Sequence, residues 1–442
     1  MPYSTLPRCL AIIVMVAGLW GAPASLWAQA TPDTLTLSAT VEAALGANLD
    51  LKSAEEGVRS AQAARDAQKT YFYPAFNTAY QYTRFYEKKT SAFLGTTVPK
   101  NEYVWSASVT QPVFTGFALL NRYRMAELGL DLAGVMKQIA RQDVILAAKR
   151  AYFAVLKAEK LVSVAQEAVT LLTAFRKVAK DFHEVGMTPL NELLKADVEL
   201  ANTRQELTVA QNNLALARSN FNTLLRRPLH DPVRVEDVLD HAPLGLTVDR
   251  CLAEALENRR EIAASELEVG IGEKDLALAR KDYYPKVSLG GNYYRLGTDP
   301  DVNGGDGISD PDSWEIVASA SWDFWQWGRT GHGVREKAGR LNQARYRRQD
   351  IEDQIRLSVE QAFLKTREAE TNIEMVRTAI GQARENYRIN EEQYKEQVAT
   401  STDVLNARTL LSKTMTNYYN ALYDFKTAKA SLYRAMGRES AE

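Results

Sequence analysis

The chain contains itself twice. Leu35–Arg227 aligns with Leu246–Arg438 at an offset of 211 residues, with only small shifts between the two halves' strands. Leu35-Thr36 meets Leu246-Thr247, Ala44-Leu45 meets Ala255-Leu256, and Tyr73-Pro74 meets Tyr284-Pro285. Further along, Glu159 meets Glu370 and Ala196 meets Ala407. Solenoid units repeat every 20–50 residues or so. A period this long is a duplicated supersecondary unit, and whatever one half builds the chain builds again.

Residues 1–30 read as a secretory leader. Arg8 supplies a positive start, Cys9–Trp20 an apolar core, and Ala28-Gln29-Ala30 a small-residue cleavage site. The apolar run is shorter than the roughly 20 residues of a spanning helix, which sets this reading against a retained anchor. Cleavage there leaves Cys251 as the one cysteine, so no internal disulfide forms and packing must hold the fold. Cys9 opens the apolar core and is not placed to carry a lipid anchor. Basic and acidic residues balance, 54 against 55, which argues against a nucleic-acid surface. After residue 30 no apolar run is long enough to span a bilayer as a helix. Membrane insertion, if it occurs, must use strands.

Residues 113–188 and 312–442 contain no proline. Within them Ala148, Ala151, Val155, Ala158, Val162, Ala165, Val169 and Leu172 recur at steps of three and four. Ala362, Thr366, Ala369, Ile373, Val376, Ile380, Ala383 and Tyr387 do the same. Such seams of small residues predict long helices in coiled-coil contact. One helix from Asn121 to His183 is about 95 Å long at ~1.5 Å per residue; a break at Gly129 or Gly134 gives a shorter bundle instead. An opening helix from about Leu37 to Tyr71 precedes Pro74.

Between opening and long helix the period changes to two. Phe76, Tyr80, Tyr82 and Tyr86 alternate with Asn77, Ala79, Gln81 and Thr83. Tyr103, Trp105, Ala107 and Val109 alternate with Ser106, Ser108 and Thr110. In the second half Trp314, Ile316, Ala318, Ala320, Trp322 and Phe324 oppose Glu315, Ser319, Ser321 and Asp323. One face is apolar and aromatic, the other polar and small. Strands of this length cross a bilayer, which takes about 9–11 residues. Tyr73, Tyr80, Tyr82, Trp105, Tyr284, Tyr293, Trp314, Trp322 and Trp325 suit membrane-interface positions. A soluble sheet packed on a core is the alternative.

The expected boundaries are strands at about 75–86 and 103–114 with a helical tip at about 184–190 in repeat 31–227. Strands at about 286–295 and 314–325 and a tip at about 395–402 follow in repeat 246–438. A linker at 228–245 carries Pro228, Pro232 and Pro243, and 439–442 is a tail. Four strands cannot close a membrane barrel, and an open edge is not tolerated in lipid. Closure requires several chains: two give a filled barrel, three leave a water passage. The loop Leu296–Ser313 carries Asp299, Asp301, Asp306, Asp310 and Asp312, read either as a solvated outer loop or as a calcium site without EF-hand spacing.

Leader, duplicated helix–hairpin–long-helix–helix unit and long seams together resemble the TolC family of outer-membrane efflux channels. The resemblance covers about residues 31–438. Gln111-Pro112-Val113-Phe114-Thr115-Gly116 and Phe324-Trp325-Gln326-Trp327-Gly328-Arg329 look like the family's second and fourth strand ends. Val185-Gly186-Met187-Thr188 and Thr402-Asp403-Val404-Leu405-Asn406-Ala407 look like its tip regions. It implies a mainly α fold with a small β part: a homotrimer whose shared twelve-stranded barrel in outer-membrane lipid continues into a long periplasmic α-helical barrel. It also implies a periplasmic membrane-fusion adaptor and an inner-membrane RND, ABC or MFS pump, with no cofactor and no nucleic acid. Glu192, Tyr394, Asp403 and Asn406 fall at the family's gate. Ala399 stands where the prototype has a gate arginine and Asn406 where it has a second acid. Val185, Gly186, Met187 and Thr188, with Val398, Ala399, Thr400 and Ser401, fall at its adaptor-contacting tips.

Local chemistry offers a plainer reading of the tips. Gly186 is a left-handed cap, Thr188-Pro189 restarts a helix, and Thr400 with Asp403 approximates a capping box. Glu192 and Asp403 then sit in first helical turns, where the macrodipole favours acids. Gly331-His332-Gly333 reads as a turn entering a helix. The histidines, His183, His230, His241 and His332, form no catalytic pattern, and no hydrolase, zinc or phosphate-loop motif occurs in context. A soluble periplasmic adaptor with a coiled-coil hairpin is the competing reading, and it lacks the compact β-rich domains such a protein needs.

Overall fold

The computed structural model describes residues 34–87, 89–90, 97–238, 242–305, 308 and 310–439. The expected leader, His241, Asp306 and residues 440–442 of the tail lie outside the described residues. The elements in chain order are α1 (Leu37–Ala47), α2 (Leu49–Thr70), β1 (Ala75–Arg84), β2 (Lys89–Thr90), β3 (Thr97–Val98) and β4 (Asn101–Thr115). Then come α3 (Ala118–Glu184), α4 (Leu190–Leu224), α5 (Val248–Asn258), α6 (Arg260–Ala279), β5 (Lys286–Gly297), β6 (Asp312–Ser321), α7 (Arg329–Lys395) and α8 (Ser401–Ala435). A single 3-10 turn, Arg280–Tyr283, links α6 to β5.

The opening helix is two helices, not one. Asn48 is extended, and its side-chain oxygen accepts the N–H of Leu51, starting α2 afresh. Arg259, 211 residues on, breaks the second repeat with the same extended backbone but without a side-chain cap. Both α1 and α2 lie along α3, and α1 buries Val41 and Ala44 with Val144, Ala148 and Tyr152. The Tyr152 hydroxyl reaches the carbonyls of Glu236 at 2.7 Å and Leu35 at 3.3 Å, tying the linker to the same place. Burial there, helped by the Glu236 charge, pushes that phenol up to about 12.

Each long helix has 67 residues, or about 100 Å at ~1.5 Å per residue. α3 runs unbroken through Gly129 and Gly134, since interior glycine costs only ~1 kcal/mol against the packing of the rest. Both begin from paired left-handed residues, Gly116-Phe117 and Trp327-Gly328. A Cβ on Gly116 would sit 2.3 Å from the Lys281 carbonyl, so only glycine fits. Gly331-His332-Gly333 is not the turn; it lies within α7.

The seam of α7 is buried at Thr366, Ala369, Ile373, Ala383 and Tyr387. That of α3 is buried at Ala148, Val155, Ala158 and Leu172. Between Ala158 and Leu172, however, the buried positions are Val164 and Ala168, not Val162, Ala165 and Val169. A straight helix drifts against a seven-residue repeat, and the packed stripe moves with it. α6 and α8 lie end to end between α3 and α7. The guanidinium of Arg259 donates to the Arg434 and Ala435 carbonyls, closing the α8 C-terminus where α6 begins.

The sheet runs β1-β4-β5-β6, all antiparallel. β2 and β3 form a separate short pair in the outer loop, beyond the four expected strands. The last strand ends at Ser321 rather than near 325. Its partner β5 begins at Lys286 after Pro285, which has no N–H to extend the ladder. Trp322 and Phe324 therefore lie past the strand.

Candidate functional site

Two regions carry chemistry: the faces of the sheet and the tips of the helical hairpins. Register partners share a face. Phe76, Tyr80 and Tyr82 thus stand beside Val109, Trp105 and Tyr103. Trp105 and Ala107 stand beside Arg295 and Tyr293, which adjoin Asp312 and Trp314. The register shift between Pro112 and Phe114 leaves Val113 unpaired and puts Phe114 opposite Val287. Phe114 then packs edge-on against Phe117 and Tyr284. At the other end Tyr82 stacks on Tyr103 at 4.6 Å, and Trp105 meets Tyr293 at 5.9 Å. From Tyr284 to Tyr293 is about 30 Å along a strand. A tilt of about 40° makes that roughly 23 Å, the height of a membrane barrel's apolar band. Tyr73, Trp322 and Trp325 are exposed toward the helix end of the sheet, and Trp314, beside Tyr293 at the other end, and Ile316, beside Gly291, are more than 70% exposed on the same face. Such a surface in water is unexplained without a partner phase.

The opposite face is polar: Asn77, Ser108, Asn292 and Glu315 form one row across all four strands. The Asn292 amide donates to the Glu315 carboxylate at 2.8 Å.

The tips close with the same backbone. Met187 N–H bonds the Phe182 carbonyl and Gly186 N–H that of His183; Val398 and Gln397 repeat both bonds to Gln393 and Tyr394. These are Schellman ends with a left-handed residue, Gly186 in one and Gln397 in the other. Thr188 does not cap α4, as the sequence suggested; Pro189 occupies that position without a side-chain bond. Its hydroxyl is buried and unbonded, and its carbonyl accepts from His183 Nδ1 at 3.1 Å. The second tip has a complete capping box. Thr400 Oγ1 accepts the Asp403 N–H, and Asp403 accepts the Thr400 N–H at 2.9 Å and its hydroxyl at 2.7 Å. The Thr400 hydroxyl and N–H hold the Asp403 carboxyl below its ordinary range.

Glu192 belongs to α4 but serves α8. Its carboxylate accepts the Ser401 hydroxyl and, at 3.2 Å, the Ser401 N–H; Lys195 pairs with it at 3.1 Å and donates to Thr402. The Ser401 hydroxyl, then Lys195, holds it below the ordinary carboxylate range. Tyr394 is buried against Phe175 and Phe182, with its hydroxyl unbonded. Burial, then the Glu192 charge, pushes this phenol up. Asn406 stands apart, exposed on α8, lining a groove of about 600 Å³ with Leu194, Lys195 and Thr402. Val185, Met187 and Val398 are exposed at the extremity. Ala399 is half-buried, and its N–H bonds the Gln393 carbonyl.

Sequence reading missed Lys195, Glu199 and Arg408. Arg408 is 3% exposed and pairs with Glu199, fastening α8 to α4 about two turns beyond Ser401. The spacing Glu192, Lys195, Glu199 along one face of α4 was the available signal.

The sequence profile described as "Outer membrane efflux protein" matches residues 40–225 and 251–438, one match to each repeat. The chain is 21% identical over 411 residues to the outer membrane efflux protein BepC of Brucella suis, spanning 92% of this chain and 86% of that one. It is 26% identical over 259 residues to the cobalt-zinc-cadmium resistance protein CzcC of Cupriavidus metallidurans, 58% of either chain. Its fold matches the Campylobacter jejuni CmeC outer membrane channel with a TM-score of 0.79 at 18% identity, over 91% of this chain and 85% of that one. The open-state MtrE channel of Neisseria gonorrhoeae gives 0.75 at 16% identity, over 91% and 88%.

Proposed function

The chain belongs to the outer membrane efflux protein family, and we propose that three copies of it form the outer duct of a tripartite efflux or type I secretion machine. Cargo passes from an inner-membrane RND, ABC or MFS pump, through a periplasmic adaptor, to the exterior. Members of the family are channels rather than enzymes, and the match along both repeats sets aside the soluble-adaptor reading.

One observation carries the trimer: an aromatic-faced sheet whose edge strands, β1 and β6, have no further partner among the described residues. Lipid does not tolerate such edges. Two copies make eight strands, a barrel filled by its own side chains. Three make twelve, which at ~4.8 Å spacing and a tilt of about 40° close at a radius of about 12 Å. The helices support the same closure. α4 exposes Leu194, Val198, Val209 and Leu216, and α7 exposes Tyr346, Leu357, Leu364 and Met375. These stripes suit a neighbouring copy.

At the tips Val185, Gly186, Met187 and Thr188, with Val398, Ala399, Thr400 and Ser401, form the adaptor contact. Gly186 is left-handed, so a bulky residue there costs about 1 kcal/mol of strain. An added Cβ meets nothing within 4 Å among the described residues, however, and such a residue blocks docking and export without blocking assembly. Glu192, Tyr394, Asp403 and Asn406 form the gate, and Asp403→Ala weakens blockade by multivalent cations. An unchanged blockade would remove Asp403 from the gate. The native mass of protein extracted by detergent from outer membranes tests the assembly: three protomers are expected, and a soluble monomer overturns the reading.

A further inference from the structure

We propose that Glu315 sets a second charge filter inside the β-barrel, selecting small cations over anions at a level well removed from the helical tips. The inference rests on the trimeric channel reading.

On the polar face of the sheet the charged positions are Glu102, Lys286 and Glu315. Glu102 lies at the outer end of its strand and Lys286 at the helix end. Glu315 alone stands mid-sheet, in the row Asn77, Ser108, Asn292, Glu315. It is exposed, and Asn292 holds its carboxylate by a neutral amide that orients the charge without cancelling it. The cation on this face is remote. Lys286 is six residues along β5 from Asn292, about 20 Å, and lies 3.7 Å from Asp282.

The edge position makes the argument stronger. β6 is an outer strand, so closure sets it beside β1 of the next copy. The polar face of β1 presents Ala75, Asn77, Ala79, Gln81 and Thr83, with no cation. Arg84 stands on the aromatic face with Tyr82 and Tyr80. The seam between copies therefore supplies nothing to neutralise Glu315, and three uncompensated carboxylates ring the lumen. With the backbone at a radius of about 12 Å, each carboxylate stands about 8 Å from the axis. Three unit charges at that distance in water, screened over a Debye length of about 10 Å at ~0.1 M salt, change the local cation-to-anion ratio by about tenfold.

The test is the reversal potential of the purified trimer in planar bilayers under a potassium chloride gradient near ~0.1 M. Wild type is expected to be cation-selective, and Glu315→Gln to lower the cation-over-anion permeability ratio severalfold. The amide keeps the shape and leaves the trimer mass unchanged. Glu315→Cys is the second variant. A sulfonate-bearing thiol reagent should restore cation preference, whereas an ammonium-bearing reagent should reverse it. A conducting trimer with the same ratio before and after these changes overturns the filter alone. A wild-type protein that forms no pore overturns the channel reading, and the filter with it.

Discussion

The two hairpin tips are copies of one turn, yet they are held in opposite ways. The first has the better backbone: Gly186 takes the left-handed position without strain. It has the poorer cap, because Pro189 leads α4 with no side-chain bond. The second has the poorer backbone, Gln397 at φ 59°, and the better cap, a complete Thr400–Asp403 box. Moreover the second tip borrows from the first. Glu192 of α4 binds the N-terminus of α8, and Glu199 of α4 neutralises Arg408. Duplication fixed the shape of the turn, and divergence made the second hairpin depend on the first.

The largest effect should come from breaking that dependence. Glu199→Gln strands the buried Arg408 guanidinium. Stranding a buried charge costs about 3–5 kcal/mol, and the 29% exposure of Glu199 lowers this to roughly 2 kcal/mol. Arg408→Met should cost clearly less, since Glu199 can turn to water. Urea unfolding followed by circular dichroism reads both, and equal losses would refute the dependence. Next, exchanging the left-handed residues should move the tips in opposite directions. Gly186→Gln destabilises by about 1 kcal/mol, and Gln397→Gly stabilises by a similar amount. Protease sensitivity at each tip is the readout, and the same sign at both sites would contradict the strain account.

Caps give the third contrast. Thr400→Ala removes a working cap and costs ~1 kcal/mol. Thr188→Val removes an unbonded buried hydroxyl and should be neutral or stabilising. A comparable loss at both sites would mean that Thr188 does cap α4 in solution. The smallest effect is on pH. Glu192 and Asp403 are both held below the ordinary carboxylate range. Their stabilisation is therefore present above that range and fades as pH falls through their depressed values. Pepsin digestion across the acid limb should loosen the start of α8 progressively. Glu192→Gln should flatten that dependence; an unaltered profile would leave the carboxylate without a role in the acid limb.

Periodicity made some of this legible. The change to a two-residue period after Pro74 located the first strand, and small residues every three or four positions located the long helices. The helix break at Asn48 stayed hidden because the apolar pattern continues through it; its one local mark is Asn48 itself, a residue suited to start a helix. Likewise the end of β6 depends on where β5 begins, and alternation along one strand carries no information about its partner. Gln397 looks like an ordinary helix former. Its left-handed backbone was readable only by superposing the second repeat on the first, where Gly186 stands. The Arg408–Glu199 pair joins residues 209 apart, so the charge spacing on α4 marks one side of it and leaves the partner unnamed.

The central claim is that the sheet is one third of a closed barrel. Cysteines placed singly along β1 and β6, one on each strand and within the span between the aromatic girdles, test it in outer membranes under mild oxidation. The account predicts disulfide-linked dimers and trimers for some pairs, in steps of two residues along each strand as register requires. Membrane-inserted, folded protein in which no β1–β6 pair cross-links between copies would contradict it.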